Sequence, residues 1–126
     1  MTGFSGSQPV MRVWVDERGL VHLSWAPGLS VTGDRAVEAM RRVDEVNAGT
    51  ERPLLVDMTG TATLTRDART TFTRRCSASS IALLGRSSVD RVIANFALGV
   101  SAVPVPTRFF TSQPAAEQWL LRGTTD

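Results

Sequence analysis

Residues that could do chemistry are concentrated between Arg52 and Arg75, in the stretch RPLLVDMTGTATLTRDARTTFTRR. An apolar run ends at Asp57, and a threonine-rich turn leads into a segment with helical periodicity. Backbone N–H groups in the first turn of a helix lack intrahelical partners, so such a turn offers donors and hydroxyls to an anion or a protein partner. We predict a docking or phosphate-binding site here, formed by Asp57, Thr59, Thr61, Thr63, Thr65, Arg66 and Asp67.

The same residues also have a purely structural interpretation. Thr65 is a suitable N-cap for the helix that follows, and threonine hydroxyls commonly satisfy turn backbone. Asp57 could act as a general base, because sites in open α/β sheets lie beyond the carboxyl ends of strands. It could equally do no more than hydrogen-bond the next turn. The sequence leaves both interpretations open.

Composition excludes several reaction classes. All 14 basic residues are arginine, so lysine Schiff-base chemistry and a phosphate-loop lysine are impossible. With His22 and Cys76 as single residues of their types, the chain cannot build a His/Cys zinc site or an intrachain disulfide. No nucleophile, base and orienter occur in a recognisable spacing. We predict that the protein is not an enzyme and that it has no cofactor and no metal site.

The charge balance argues against a polyanionic partner. The pI of 9.9 accompanies a net charge of only +2, because arginine does not deprotonate and a small excess raises the pI. We therefore predict no nucleic-acid partner. No apolar run is long enough to span a bilayer, and the first residues, MTGFSGSQPV, do not have the pattern of a signal peptide. We predict a cytoplasmic protein without a membrane span.

The periodicity predicts a single α/β domain over residues 10–122, with a flexible N-terminus at 1–9 and a frayed C-terminus at 123–126. Strands alternating with helices favour parallel pairing, and Gly19 favours an antiparallel hairpin at the start. The result is a mixed five-strand sheet with about four helices packed against it. The predicted strands are Val10–Val15, Leu20–Trp25, Leu54–Val56, Ser80–Leu84 and Thr107–Thr111, with helices beginning after Thr32, Thr65, Ser87 and Ser112.

The aromatic residues offer a second candidate site. Trp14 and Trp25 in the hairpin, together with Phe96 in the third helix, could line a cleft for a small apolar ligand. The alternative is that these rings simply pack in the core.

Several segments resemble a known family. The strand end VDMTG, the strand IALLGRSS and the ending PTRFFTSQPAAEQWLL look like the small bacterial STAS/SEC14-type domains, which are related to anti-sigma-factor antagonists and have a SpoIIAA-like fold. The resemblance covers roughly residues 10 to 121 and implies a similar sheet with helices packed against it.

For antagonist members, the resemblance implies partner switching controlled by a phosphorylated serine in a D-S-S-G-L-type motif at the helix start after the central strand. Here Thr65-Arg66-Asp67-Ala68 occupies that place, without a serine. If Asp67 replaces the phosphorylated residue, the surface is permanently acidic; if Thr65 does, phosphate could still be added. We predict a regulatory domain that docks an unknown protein partner and could form a homodimer. The alternative is a SEC14-like binder of a small apolar or lipid-like ligand.

Overall fold

The computed structural model describes residues 10–59, 63–65, 67–68, 71, 77–86 and 105–122. The predicted terminal segments, the helix predicted after Ser87 and the candidate ligand residue Phe96 lie outside them. The described strands are β1 Met11–Val15, β2 Val21–Trp25, β3 Ser30–Val31, β4 Arg52–Asp57, β5 Thr63–Leu64, β6 Ala78–Leu84 and β7 Thr107–Phe110. The helices with described bounds are α1 Gly33–Asn47 and α2 Gln113–Leu121.

Five strands form one mixed sheet in the order β1-β2-β4-β6-β7. β1 and β2 are antiparallel, and the remaining neighbours are parallel. This confirms the predicted five-strand sheet with an N-terminal hairpin. β4 is the central strand, as expected for an apolar run without alternation.

The hairpin turn runs from Asp16 to Leu20. The Asp16 N–H donates to the Leu20 carbonyl at 2.9 Å, and Gly19 adopts a φ of 85°, which L-residues with a side chain rarely reach. Val13 lies opposite Leu23, so the odd-numbered residues of both strands share one face.

Different helices cover the two faces of the sheet. α1 packs over the hairpin on one face, and α2 packs against β4, β6 and β7 on the other. Leu54 and Leu55 are adjacent in β4, and strand alternation places them in these two separate cores. The α1-side core includes Met11, Leu23, Trp25, Ala36, Ala39 and Val43, whereas the α2-side core includes Leu20, Ala82, Leu84, Ala116 and Leu120.

The C-terminal end of α1 is fixed by a polar cluster. Asn47, only 1% exposed, donates from Nδ2 to Ser77 Oγ at 2.8 Å, and Arg52 donates to its Oδ1 at 3.3 Å. Ser77 in turn donates from its N–H and hydroxyl to Asp44 at 2.9 and 2.7 Å. These bonds satisfy the buried amide and tie α1 to the chain entering β6.

The prediction of about four helices is only partly met. Two helices have described bounds, and both begin at the predicted caps, Thr32 and Ser112. After Thr65 the helix is seen at three described positions, Asp67, Ala68 and Thr71.

Candidate functional site

A second, two-stranded sheet is formed by β3 and β5, which follow β2 and β4 at the carboxyl end of the parallel strands. β3 and β5 pair in parallel, with Ser30 opposite Thr63 and Val31 opposite Leu64. Each of these short strands is followed directly by a helix start, at Thr32 and at Thr65. The pairing therefore sets two helix N-termini side by side.

Both helix starts are capped by threonine. Thr32 Oγ1 accepts the Arg35 N–H at 3.4 Å, and Thr65 Oγ1 accepts the Ala68 N–H at 3.2 Å. A hydroxyl acceptor at this position satisfies one of the free amides of the first turn. The capping interpretation of Thr65 is thus confirmed. The chain entering the second helix is also anchored to β3, because the Thr65 N–H donates to the Val31 carbonyl at 3.0 Å.

The two helix starts approach each other closely at Gly33. A Cβ placed on Gly33 would lie 2.7 Å from the Cβ of Asp67, closer than real side chains come. Glycine is needed here because of this contact. The side chains of Asp34 and Asp67 are exposed, and neither has an ion-pair partner among the described residues. We call Ser30, Thr32, Asp34, Thr65 and Asp67 the helix-start surface.

Other members of the predicted site serve the turn between β4 and β5. Asp57 Oδ1 accepts the N–H of Thr59 at 3.0 Å and its hydroxyl at 2.7 Å, the arrangement of an Asx turn. Thr63 belongs to β5. Thr61 and Arg66 lie outside the described residues. The Thr59 hydroxyl therefore binds Asp57, whereas the Thr65 hydroxyl binds the Ala68 N–H in its own helix start.

The tryptophan cleft is corrected by the strand register. Trp14 lies opposite His22, whereas Trp25 lies opposite Met11, which is three positions before Trp14 in β1. Side chains alternate between the faces of a strand, so an odd separation puts Trp14 and Met11 on opposite faces. Trp25 is accordingly 5% exposed in the α1-side core, while Trp14 is 44% exposed on the other face. The two rings cannot line one cleft.

The hairpin loop holds a polar network that the sequence analysis missed. His22 Nε2 lies 2.8 Å from Asp16 Oδ2, and Arg18 donates to Asp16 at 2.9 Å and to Glu117 of α2 at 3.0 Å. The His22 ring also stacks on Trp14, with a centroid distance of 4.9 Å. In the sequence, Asp16 at the first loop position and His22 on β2 are the signal for this network. Their contact could not be predicted, because it depends on the register of β1 with β2.

This network shifts the ionisation of its acids. Desolvation by burial acts to raise the pKa of Asp16, but hydrogen bonds from His22 and Arg18 outweigh it and hold that pKa well below the usual range. Hydrogen bonds from Gln113 and Arg18 lower the pKa of Glu117. Both carboxylates therefore stay charged and tie the hairpin to α2.

The described part of the chain has neither a metal-ligand cluster nor a membrane-spanning helix. No cluster of three or more potential ligand side chains is placed to hold a metal ion there. Nor does any helix in those ranges have the length and apolar character needed to cross a bilayer.

Comparison with known proteins identifies a matching family. A family model described as a domain of unknown function, DUF7793, matches residues 13–123. No curated protein matches the sequence.

Solved structures identify the fold. An uncharacterised protein of the DUF3478 family from Shewanella loihica PV-4, described as having a SpoIIAA-like fold, is similar with a TM-score of 0.65. It is 16% identical, and the match covers 94% of this chain and 99% of that protein. A protein of unknown function from Arthrobacter sp. FB24 is 48% identical over 86% of this chain and 90% of its own, with a TM-score of 0.37. The fold assignment rests on the Shewanella protein, and it confirms the resemblance to SpoIIAA-like domains.

Proposed function

We propose that this chain, which belongs to the DUF7793 family of unknown function, is a non-enzymatic regulatory domain that docks a protein partner through the helix-start surface. The observation that carries the proposal is the pairing of β3 with β5, which sets two capped helix starts side by side. A SpoIIAA-like fold supports this location, because the second helix start follows the central strand, β4.

The charges of this surface favour a basic partner segment. Asp34 and Asp67 lie in the first turns of their helices, where a carboxylate complements the positive end of the helix dipole. Both remain exposed and lack an ion-pair partner in the described part of the chain. Arginine or lysine side chains of a partner could pair with both carboxylates, while its backbone carbonyls accept from free amides of the first turns.

The acidic alternative for Asp67 fits this surface better than phosphorylation of Thr65. A phosphate on Thr65 would stand close to Asp67 and would be repelled by its carboxylate. Phosphorylation of Thr65 remains a separate hypothesis, and intact-mass measurement of protein purified from its native cells would detect the added phosphate.

The proposal is tested by reversing one charge. We expect Asp67→Arg to reduce capture of the partner from native cell extract by about tenfold or more, since it places like charges together. The matched control is Glu51→Arg, the same change at an exposed position before β4, at the other end of the sheet. It should leave capture unchanged.

Folding must be preserved for this comparison to be valid. Asp67 is exposed, so both variants should melt within a few degrees of the parent protein. Thr65→Ala is a poor probe, because loss of the cap destabilises the helix by about 1 kcal/mol; Thr65→Ser keeps the capping oxygen. Equal capture by Asp67→Arg and the parent protein would refute docking at this surface.

A further inference from the structure

β1 lies at one edge of the described five-strand sheet, and one row of its backbone groups has no partner among the described residues. The Ala26 N–H donates to the Val10 carbonyl at 3.0 Å, and the Asp16 N–H donates to Leu20 at 2.9 Å. Even-numbered residues of β1 thus form the hydrogen-bonded pairs with β2. The N–H and C=O groups of the odd-numbered residues point away from β2, and among the described residues they have no partner. These residues are Met11, Val13 and Val15.

Two features that prevent pairing at exposed edges, proline and a β-bulge, are absent from β1. β1 contains no proline, and its register with β2 runs without a bulge over all five residues. Native proteins commonly interrupt an exposed edge by one of these devices, because free N–H and C=O groups attract another strand.

Two side chains at this edge, Arg12 and Trp14, are exposed. Arg12 is exposed and has no ion-pair partner in the described part of the chain. Trp14 is 44% exposed, and its ring lies nearly parallel to that of His22, at an interplanar angle of 3°. Since His22 lies on β2, it covers one face of the indole. The other face of the indole points toward the free edge.

We propose that β1 pairs with β1 of a second copy of this chain, antiparallel and about a two-fold axis through Val13. In this register Val13 lies opposite the partner's Val13, and Met11 lies opposite the partner's Val15. All are odd-numbered residues, so each pair exchanges two hydrogen bonds. The two sheets then form one continuous sheet across the axis.

The same register makes the side chains complementary. Arg12 lies opposite the partner's Trp14 in a non-hydrogen-bonded pair, where side chains are closest. Its guanidinium can rest on the open face of the indole in a cation–π contact, and the symmetry provides that contact twice. A shift by one pair in either direction places two arginines or two tryptophans opposite each other and loses hydrogen-bonded pairs.

The short strand implies a weak dimer. Five residues per chain bury less than the roughly 1,200 Å2 of a standard stable interface. Association should therefore appear at micromolar or higher protein concentrations. Sedimentation equilibrium of the full chain, from about 1 μM to about 1 mM, measures it directly.

Val13→Pro tests the backbone pairing. The Val13 N–H takes no part in the β1–β2 ladder, so proline removes a bond of the dimer without removing one of the hairpin. We expect the dimer dissociation constant to rise at least about tenfold, with the circular dichroism spectrum unchanged. Unchanged dimerisation of a folded Val13→Pro protein would overturn the proposal, as would a parent protein that stays monomeric throughout the range.

A complementation experiment tests the register. Arg12→Glu alone places a carboxylate on each indole, and Trp14→Arg alone places arginine opposite arginine, so each variant should be monomeric where the parent protein dimerises. In a mixed pair, Glu at 12 meets Arg at 14, and Trp14 keeps its contact with Arg12. An equimolar mixture should therefore dimerise. Arg108→Glu, the same change on the opposite edge strand β7, is the control and should dimerise normally. A mixture that stays monomeric would overturn the register.

Discussion

The carboxylates at the two ends of the sheet differ in whether they bind other groups of the chain. At the hairpin end, Asp16 accepts hydrogen bonds from backbone and side chains of the same loop, and Arg18 bridges it to Glu117 of α2. At the other end, where the parallel strands finish and the two helix starts lie, Asp34 and Asp67 are exposed and have no ion-pair partner in the described ranges.

This difference separates stability from recognition. Carboxylates that bind groups of their own chain hold elements together, and removing one leaves its donors unsatisfied. Carboxylates that face solvent at a helix start contribute little beyond their interaction with the helix dipole. Removing the carboxylate of Asp16 should therefore destabilise the protein, whereas changes to the exposed carboxylates of Asp34 and Asp67 should mainly alter binding.

The largest effect is expected for Asp16→Ala. This change removes the acceptor for the Arg18 and Leu20 N–H groups and for His22, and we expect it to lower the free energy of unfolding by about 2 to 3 kcal/mol. Urea denaturation measures the loss. Asp34→Ala is the matched change at the other end and should cost less than about 1 kcal/mol. Similar losses at both positions would remove the distinction between the two ends.

Acid titration sharpens this contrast. Asp16 has a lower pKa in the folded chain than its ordinary value of 3.8, so the unfolded chain takes up its proton first. Its contribution to stability is therefore complete above that value and is lost as the pH falls toward the folded pKa. Denaturation of Asp16→Asn across this acid range should vary less with pH than that of the parent protein. If the free energy of unfolding changed with pH equally in the variant and the parent protein, the lowered pKa of Asp16 would be contradicted.

A smaller loss is expected for Gly33→Ala. Alanine normally favours a helix, but here its Cβ would meet that of Asp67 at 2.7 Å, and backbone must move to relieve the overlap. We expect a net loss of about 1 to 2 kcal/mol in the free energy of unfolding. Asp67→Gly removes the opposing Cβ, so Gly33→Ala should cost less in the Asp67→Gly background than in the parent protein. Strict additivity of the two changes would show that the helix starts do not touch.

The smallest effect is expected for Glu117→Gln. Its ion pair with Arg18 spans 3.0 Å at the surface, where such pairs contribute little to stability and are screened by salt. The difference between variant and parent should shrink at high salt, as measured by urea denaturation at two ionic strengths. A salt-independent loss would assign the effect to packing of α2 instead.

Strong local signals account for the parts of the fold that the sequence predicted. Gly19 marked the hairpin, the uninterrupted apolar run at Leu54–Val56 marked the central strand, and Thr32 and Ser112 marked the helix caps. Each signal is contained within a few residues, so it does not depend on the rest of the chain.

The parts that were missed depend on contacts between distant segments. β3 and β5 contain two residues each, too few for any periodicity, and they exist because they pair with each other. The bond between Asp16 and His22 and the opposite placement of Trp14 and Trp25 follow from the hairpin register. The predicted site includes the helix start after Thr65, but the neighbouring helix start, from Ser30 to Asp34, comes beside it only through that pairing.

The adjacency of Leu54 and Leu55 couples the two sides of the domain. Each residue anchors a different apolar layer, yet a single peptide bond joins them in the middle strand. Distorting the backbone there to relax one layer must also disturb the other. We expect heat to melt both layers in one cooperative step, with the same midpoint whether tryptophan fluorescence or helical ellipticity is followed.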